Sequence, residues 1–284
     1  MEHRTISVVG AGLMGCATAL EAAKYGCRVL LKDIDERALK EAAGHIKREY
    51  RSACLMDSTY GSVPLRDIMD RISVQAGYEG FEQADIVIEN VTEDEAVKTK
   101  EYGRLGARCR EDALYALNTS CISITRLASH LPRPDRAIGV HLMNPVPVKR
   151  MVEVIRGHHT SPETEERIVE FLRSMNKNPV VIDDLPGFVS NRLSHLLMNE
   201  AAFIVQDGIA SAEQVDAIMK HGFKHDMGPL ATADLIGLDT VVRSLDVLYR
   251  SYQDSKFRCC PLLRKKVDAG ETGRKSGKGF YSYA

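Results

Sequence analysis

The feature that most constrains this chain is Ser7-Val8-Val9-Gly10-Ala11-Gly12-Leu13-Met14-Gly15, where a β-branched apolar run meets a helical pattern through three glycines. Ile6, Val8 and Val9 read as a buried strand, and from Met14 to Tyr25 small and apolar residues recur at helical spacing. In such a turn Gly10 permits the tight bend, Gly12 lets a pyrophosphate approach the backbone, and Gly15 lets helix pack closely on strand. The N–H groups of the first helical turn, around Leu13 and Met14, then face the phosphates. Arg28-Val29-Leu30-Leu31 supplies a second strand ending at Lys32-Asp33. Asp33 stands where a carboxylate holds the adenosine ribose hydroxyls, and its charge repels a 2′-phosphate, which favours NAD over NADP. Lys32 and Arg37 lie close to it. A glycine turn can also merely join strand to helix, but strand, turn, helix, second strand and acid all fall in register here.

The remaining residues limit what else the chain can be. Its 284 residues suffice for two domains, and 44% apolar residues can fill both cores. A net charge of −1 argues against non-specific binding to nucleic acid or to an anionic membrane. The seven cysteines form no C-x-x-C pair and are odd in number, which predicts free thiols in a reducing cytoplasm. The first strand begins within about five residues of the amino terminus, so no signal or transit peptide is expected. No apolar run approaches the ~20 residues of a membrane span.

Beyond Asp33, residues 36–54 and 64–71 read as helices, 72–74 and 84–89 as strands, 93–108 as a helix and 113–117 as a strand. Residues 123–131 have helical character, and 137–141, 151–155 and 179–182 complete the strands. Polar residues collect at the carboxyl ends of these strands, where an open parallel sheet binds its ligands. After Asp183-Asp184-Leu185-Pro186-Gly187 the strand signal stops, and helical spacing takes over at 188–205, 212–219 and 235–252. The reading is α/β: a Rossmann-type doubly wound sheet over residues 1–184, then an all-α C-terminal domain over 185–284.

Five segments now become specific: Asn118-Thr119-Ser120, His141-Leu142-Met143-Asn144-Pro145, Val152-Glu153-Val154, Pro186-Gly187-Phe188-Val189-Ser190-Asn191-Arg192 and Gly273-Arg274-Lys275-Ser276-Gly277-Lys278-Gly279-Phe280-Tyr281. In order and spacing they resemble the 3-hydroxyacyl-CoA dehydrogenase family over nearly the whole chain, as do Met227-Gly228-Pro229 and Asp234-Leu235-Ile236-Gly237-Leu238-Asp239. The resemblance implies an NAD-dependent enzyme that oxidises the hydroxyl of a short 3-hydroxyacyl thioester. Such a reaction needs a base for the hydroxyl proton while hydride leaves the same carbon, and histidine suits that task. By position in the motif His141 is the base and Glu153 its orienting partner, while Ser120 and Asn191 hydrogen-bond the reacting oxygens. Glu93 and Lys98 match a pair beside the cofactor ribose, and Asn118 is carried over as a further cofactor contact. Read alone, Glu153 is an outward-facing strand residue, Ser120 caps the following helix and Asn191 serves a helix start. His158-His159 and His221 with His225 have metal-ligand spacings, but no carboxylate or cysteine completes a set, and no metal is expected. The family also implies a homodimer through the helical domain, with the glycine-rich terminal run packed near it.

The resemblance thins at the turn Asp57-Ser58-Thr59-Tyr60-Gly61, where acyl-CoA members carry lysines for the CoA phosphates, although Lys47, Arg48 and Arg51 precede it. Lys149-Arg150 and Asp226 depart as well, and Ala231-Thr232-Ala233-Asp234 joins them. These features are similar to hydroxyacyl-acyl-carrier-protein dehydrogenases of polyketide extender-unit pathways, so the expected substrate is carried on acyl carrier protein. The alternatives are a 3-hydroxybutyryl-CoA dehydrogenase, a free hydroxy-acid dehydrogenase, and a dinucleotide-binding protein without turnover.

Overall fold

The computed structural model describes residues 4–283, and the chain divides into two compact units, Met1–Leu185 and Pro186–Ala284.

The first unit is built on one eight-stranded sheet in the order β3-β2-β1-β4-β5-β6-β7-β8. Its strands are β1 (Thr5–Val9), β2 (Arg28–Lys32), β3 (Ile72–Gln75), β4 (Ile86–Glu89), β5 (Leu114–Leu117), β6 (Ala137–Leu142), β7 (Met151–Arg156) and β8 (Asn178–Asp183). Its helices are α1 (Leu13–Lys24), α2 (Glu36–Met56), α3 (Leu65–Met69), α4 (Glu95–Gly106), α5 (Ile124–Ala128) and α6 (Pro162–Ser174). Strands β4 and β5 are buried along their length, as continuous apolar runs with both faces covered require. The chain starts at β1, runs outward through β2 and β3, and returns to β4 on the other side of β1. The resulting switch point between β1 and β4 is where an open α/β sheet binds its ligand.

In this unit two features differ from the sequence expectation. Strand β7 runs antiparallel to β6, because only residues 143–150 join them and no crossover helix intervenes. Helix α6 falls where the sequence reading placed no element, yet its start is written locally: Ser161 caps it by accepting from Thr164 N, Pro162 opens it, and Glu163 and Glu165 lie in its first turn. It buries Ile168, Phe171 and Leu172.

Helix α1 is buried continuously from Gly15 to Ala23. Its alanines let it lie close among α2, α3 and the strands, so it is a core helix rather than one with an exposed face.

The second unit is helical: α7 (Ser190–Gln206), α8 (Ala212–Phe223), α9 (Pro229–Ile236), α10 (Leu238–Tyr252) and α11 (Pro261–Asp268). The single helix expected over 235–252 is broken at Gly237, whose φ of +102° ends α9 and starts α10. Two buried carboxylates organise this unit. Asp216 accepts from the backbone N–H of Leu230 and Ala231, and Asp234 from those of Phe280 and Tyr281, which docks the terminal glycine-rich run.

Candidate active site

At the β1–α1 turn, Gly10 and Gly15 are required by close approach. A Cβ on Gly10, at φ +102°, would stand 2.5 Å from Asn90 O, and one on Gly15 would stand 1.7 Å from Gly10 O. Gly12 is different: a Cβ there would meet nothing within 4 Å. Gly12 is also the N-cap of α1 and offers no side chain to its first turn, so a space is left over a helix N-terminus. That cradle fits a dinucleotide pyrophosphate, whose oxygens the N–H groups near Leu13, Met14 and Gly15 would receive.

Asp33 follows β2 and braces the turn, its Oδ2 accepting from Ala11 N at 2.6 Å and its Oδ1 from Asp35 N at 2.9 Å. Of the two cations near it, Lys32 has a side chain only 2% exposed, paired with Glu101 at 2.9 Å and with Tyr78 OH at 3.1 Å. Arg37 lies on the surface, paired with Glu41 at 2.9 Å. Lys32 is therefore committed to the protein interior.

The carboxyl ends of β4 and β5 are tied by a buried charge cluster. Lys98 donates to Glu89 Oε1 at 2.8 Å, to Glu89 Oε2 at 3.0 Å and to Asn118 O at 2.9 Å, while Glu93 Oε2 stands farther off at 3.7 Å. Tyr102 OH donates to Glu89 Oε2 at 2.5 Å and Val91 N to its Oε1 at 2.6 Å. Burial raises the Glu89 carboxyl above its ordinary range, and the adjacent Lys98 opposes that rise. Sequence reasoning paired Lys98 with Glu93 alone and missed Glu89. The available signal was an acid ending an otherwise apolar strand. Helix α4 begins at Glu95, capped by Asp94, so Glu93 lies in the preceding loop. From there its Oε1 accepts from Thr119 Oγ1 at 2.6 Å and Ser120 N at 2.8 Å, holding the turn after β5. Asn118 Nδ2 donates to Asn90 Oδ1 at 2.6 Å.

That turn brings Ser120 to His141. Ser120 Oγ lies 3.4 Å from His141 Nε2, while the cap of α5 is supplied by Ser123, whose side chain accepts from Arg126 N. His141 is the last residue but one of β6 and is the register partner of Glu153 across the antiparallel β6–β7 pair. Glu153 Oε2 is 2.8 Å from His141 Nδ1, and both residues are buried. A carboxylate on Nδ1 holds a proton there and leaves Nε2 as the unprotonated nitrogen, the one facing Ser120. Asn191 belongs to the second unit, in the first turn of α7, where its carbonyl accepts from His195 Nδ1 at 2.9 Å. Among the described residues no three His, Cys, Asp or Glu side chains gather to hold a metal ion.

Residues 5–185 match the 3-hydroxyacyl-CoA dehydrogenase NAD binding domain, and residues 187–283 match the C-terminal domain of the same enzymes. The chain belongs to the 3-hydroxyacyl-CoA dehydrogenase family. It is 43% identical to a Bacillus subtilis protein named "Probable 3-hydroxybutyryl-CoA dehydrogenase", over 100% of this chain and 98% of that one. It is 39% identical to a 3-hydroxybutyryl-CoA dehydrogenase of Clostridioides difficile, over 98% of this chain and 99% of the relative. The crystal structure of (S)-3-hydroxybutyryl-CoA dehydrogenase from Ralstonia eutropha superposes with a TM-score of 0.93 at 37% identity, covering 100% of both chains. The family member described here is thus an NAD-dependent oxidoreductase with a Rossmann-like sheet and a helical C-terminal domain.

Proposed function

We propose that this dehydrogenase interconverts a short 3-hydroxyacyl-CoA, of the size of 3-hydroxybutyryl-CoA, with its 3-oxoacyl form. The observation that carries the chemistry is the His141–Glu153 pair, with Nδ1 and Oε2 2.8 Å apart at a strand end beside Ser120. Nε2 of His141 takes the proton of the substrate hydroxyl, and Glu153 stabilises the imidazolium that forms. Ser120 orients the reacting oxygen, and Asn191 keeps the substrate-orienting role that the resemblance assigns to it. NAD, when bound, accepts the hydride. Glu93, with its side chain 44% exposed, is the member of the Glu93–Lys98 pair open to a ligand, whereas the fully buried Lys98 acts by fixing Glu89 and Asn118.

The expected acyl-carrier-protein substrate gives way here to CoA, because the relatives that match over their full length carry 3-hydroxybutyryl-CoA in their names. Exposed Lys47, Arg48 and Arg51 on α2 compensate for the missing lysines of the following turn. A homodimer and a cytoplasmic location are parts of the same reading, supported respectively by exposed apolar residues on α7, α8 and α9 and by seven free thiols.

The deciding experiment follows NADH absorbance with one 3-hydroxybutyryl group offered on CoA, on a phosphopantetheinylated carrier protein and as the free acid. Faster turnover on CoA supports the proposal. Fast turnover on the carrier protein with poor turnover on CoA overturns it in favour of extender-unit biosynthesis.

A further inference from the structure

A second buried charge cluster lies beneath the strand that carries His141, and none of the chemistry above uses it. Lys177, 4% exposed, immediately precedes β8. Its ammonium is paired with Glu21 Oε1 at 2.7 Å and donates to Val146 O at 2.5 Å and Lys149 O at 3.3 Å. Glu21, in α1, is also buried, and its Oε2 accepts from Tyr60 OH at 2.8 Å. An ammonium has three N–H donors, and here each finds an acceptor. Burial pulls the Lys177 amine below its ordinary range, and Glu21 opposes that shift.

Two of the three acceptors are backbone carbonyls of residues 143–150, the irregular segment that joins His141's strand to Glu153's strand. A loop of this kind has no ladder to satisfy inward-facing carbonyls, so a buried cation sets where they sit. The same cluster touches β6 from below. Side chains alternate along a strand, so Val140 and Leu142 point away from the face that His141 uses. Those two residues share with Glu21, Val146 and Lys177 the walls of a small cavity of about 10 Å³. That space is about the size of one water molecule, so little void separates β6 from the side chains beneath it.

We propose that Lys177 is a positioning residue: its ammonium, held by Glu21, fixes the 143–150 loop and through it the end of β6 that presents His141. The proposal rests on the reading of His141 as the base. It also gives Glu21 a reason to be acidic inside an otherwise small and apolar core helix.

The test compares Lys177→Met with the double variant Glu21→Gln/Lys177→Met, each measured for Tm, for kcat and KM of the NADH-linked reaction, and for the low-field proton resonance of the His141 Nδ1–H. That resonance is assigned by its loss in Glu153→Gln and is read without substrate. Lys177→Met strands a buried carboxylate and lowers Tm, whereas the double variant removes both charges and recovers Tm. The expected result is that both variants lose about 10²-fold in kcat with KM for NADH unchanged, because displacement of a reacting group by about 1 Å has effects of that order. Both should also shift or broaden the His141 resonance. Recovery of kcat and of the resonance together with Tm in the double variant overturns the proposal and leaves Lys177 a stabilising residue only. Failure of the wild type to turn over any 3-hydroxyacyl substrate counts against the proposed function instead, and an unmoved resonance in the double variant then overturns the positioning role by itself.

Discussion

Glu153 Oε2 lies 2.8 Å from His141 Nδ1 because the two residues are register partners in an antiparallel strand pair. Twelve positions apart in sequence, they meet because β7 turns back along β6 instead of crossing over. If the pair is base and orienting carboxylate, His141→Ala should lose about 10²–10⁴-fold in kcat, the usual worth of a general base. Affinity for NADH, followed by fluorescence titration, should stay within twofold or so of wild type. Glu153→Gln should lose a comparable factor, since the amide cannot stabilise the imidazolium and no longer fixes the proton on Nδ1. Parallel loss of turnover and NADH affinity would make His141 a structural residue.

Much of this site was legible in the sequence because its signals are local. The Gly10-Ala11-Gly12-Leu13-Met14-Gly15 turn, Asp33 and the strand-end position of His141 each follow from a few neighbouring residues. The antiparallel course of β7 was not legible, since a strand's apolar pattern carries no direction. Glu89 was missed for a related reason: its partners Lys98, Tyr102 and Val91 are brought together by the fold, not by spacing. Helix α6 was legible in its Ser161-Pro162 start and was overlooked among the charged residues that follow.

The three glycines of the turn should separate folding from binding. Gly15→Ala and Gly10→Ala each force a Cβ into backbone, at 1.7 Å and 2.5 Å respectively. Each should destabilise by about 2–5 kcal/mol, visible as a large fall in Tm. Gly12→Ala meets nothing within 4 Å and should fold with unchanged Tm. Its methyl group would occupy the space over the helix N-terminus, so NADH should bind about tenfold more weakly. A Gly12→Ala protein that binds NADH normally would place the pyrophosphate elsewhere.

The apolar surface of the helical unit predicts its assembly. Ile218 is 60% exposed and Phe223 68% exposed on α8, with Leu193 on α7 and Leu235 on α9 also exposed. Light scattering should give twice the 31.5 kDa chain mass for the wild type. Ile218→Asp/Phe223→Asp should shift the protein toward the monomer mass, because charge is depleted from the core of such interfaces. A monomeric wild type would refute the dimer directly.

Thiol chemistry gives a prediction in pH. Burial pushes the Cys16 thiol up to about 12 and those of Cys27, Cys109 and Cys259 to about 11. Only the thiolate is alkylated, so at pH 8 these groups should present a reactive fraction of about 10⁻³ or less. Raising the pH toward 9 should increase that fraction about tenfold per unit and still leave it near 1%. Native iodoacetamide labelling read by mass spectrometry should therefore find half-buried Cys54 first. The other four should label fully only in denaturant. Early labelling of Cys16 or Cys259 in the native protein would contradict this packing.

The proposed preference for NAD over NADP rests on Asp33 and on the removal of Lys32 from the site. Asp33 should repel a 2′-phosphate, and its Oδ2 also holds Ala11 N at 2.6 Å, so Asp33→Ala should act in two ways. NADH-dependent kcat/KM should fall as the turn loosens, and the preference for NADH over NADPH should narrow by about tenfold as one repulsive charge disappears. Lys32 is the natural candidate to attract that phosphate, yet its ammonium is bound to Glu101 and Tyr78 in the interior. Lys32→Met should thus lower Tm, by taking from the buried Glu101 carboxylate its closer cation and leaving only Arg104 at 3.4 Å, and should leave the NADH to NADPH ratio unchanged in the folded protein. A Lys32→Met variant with unchanged Tm and an altered ratio would mean that the lysine reaches the ribose, and the preference for NAD would then rest on Asp33 against a competing cation.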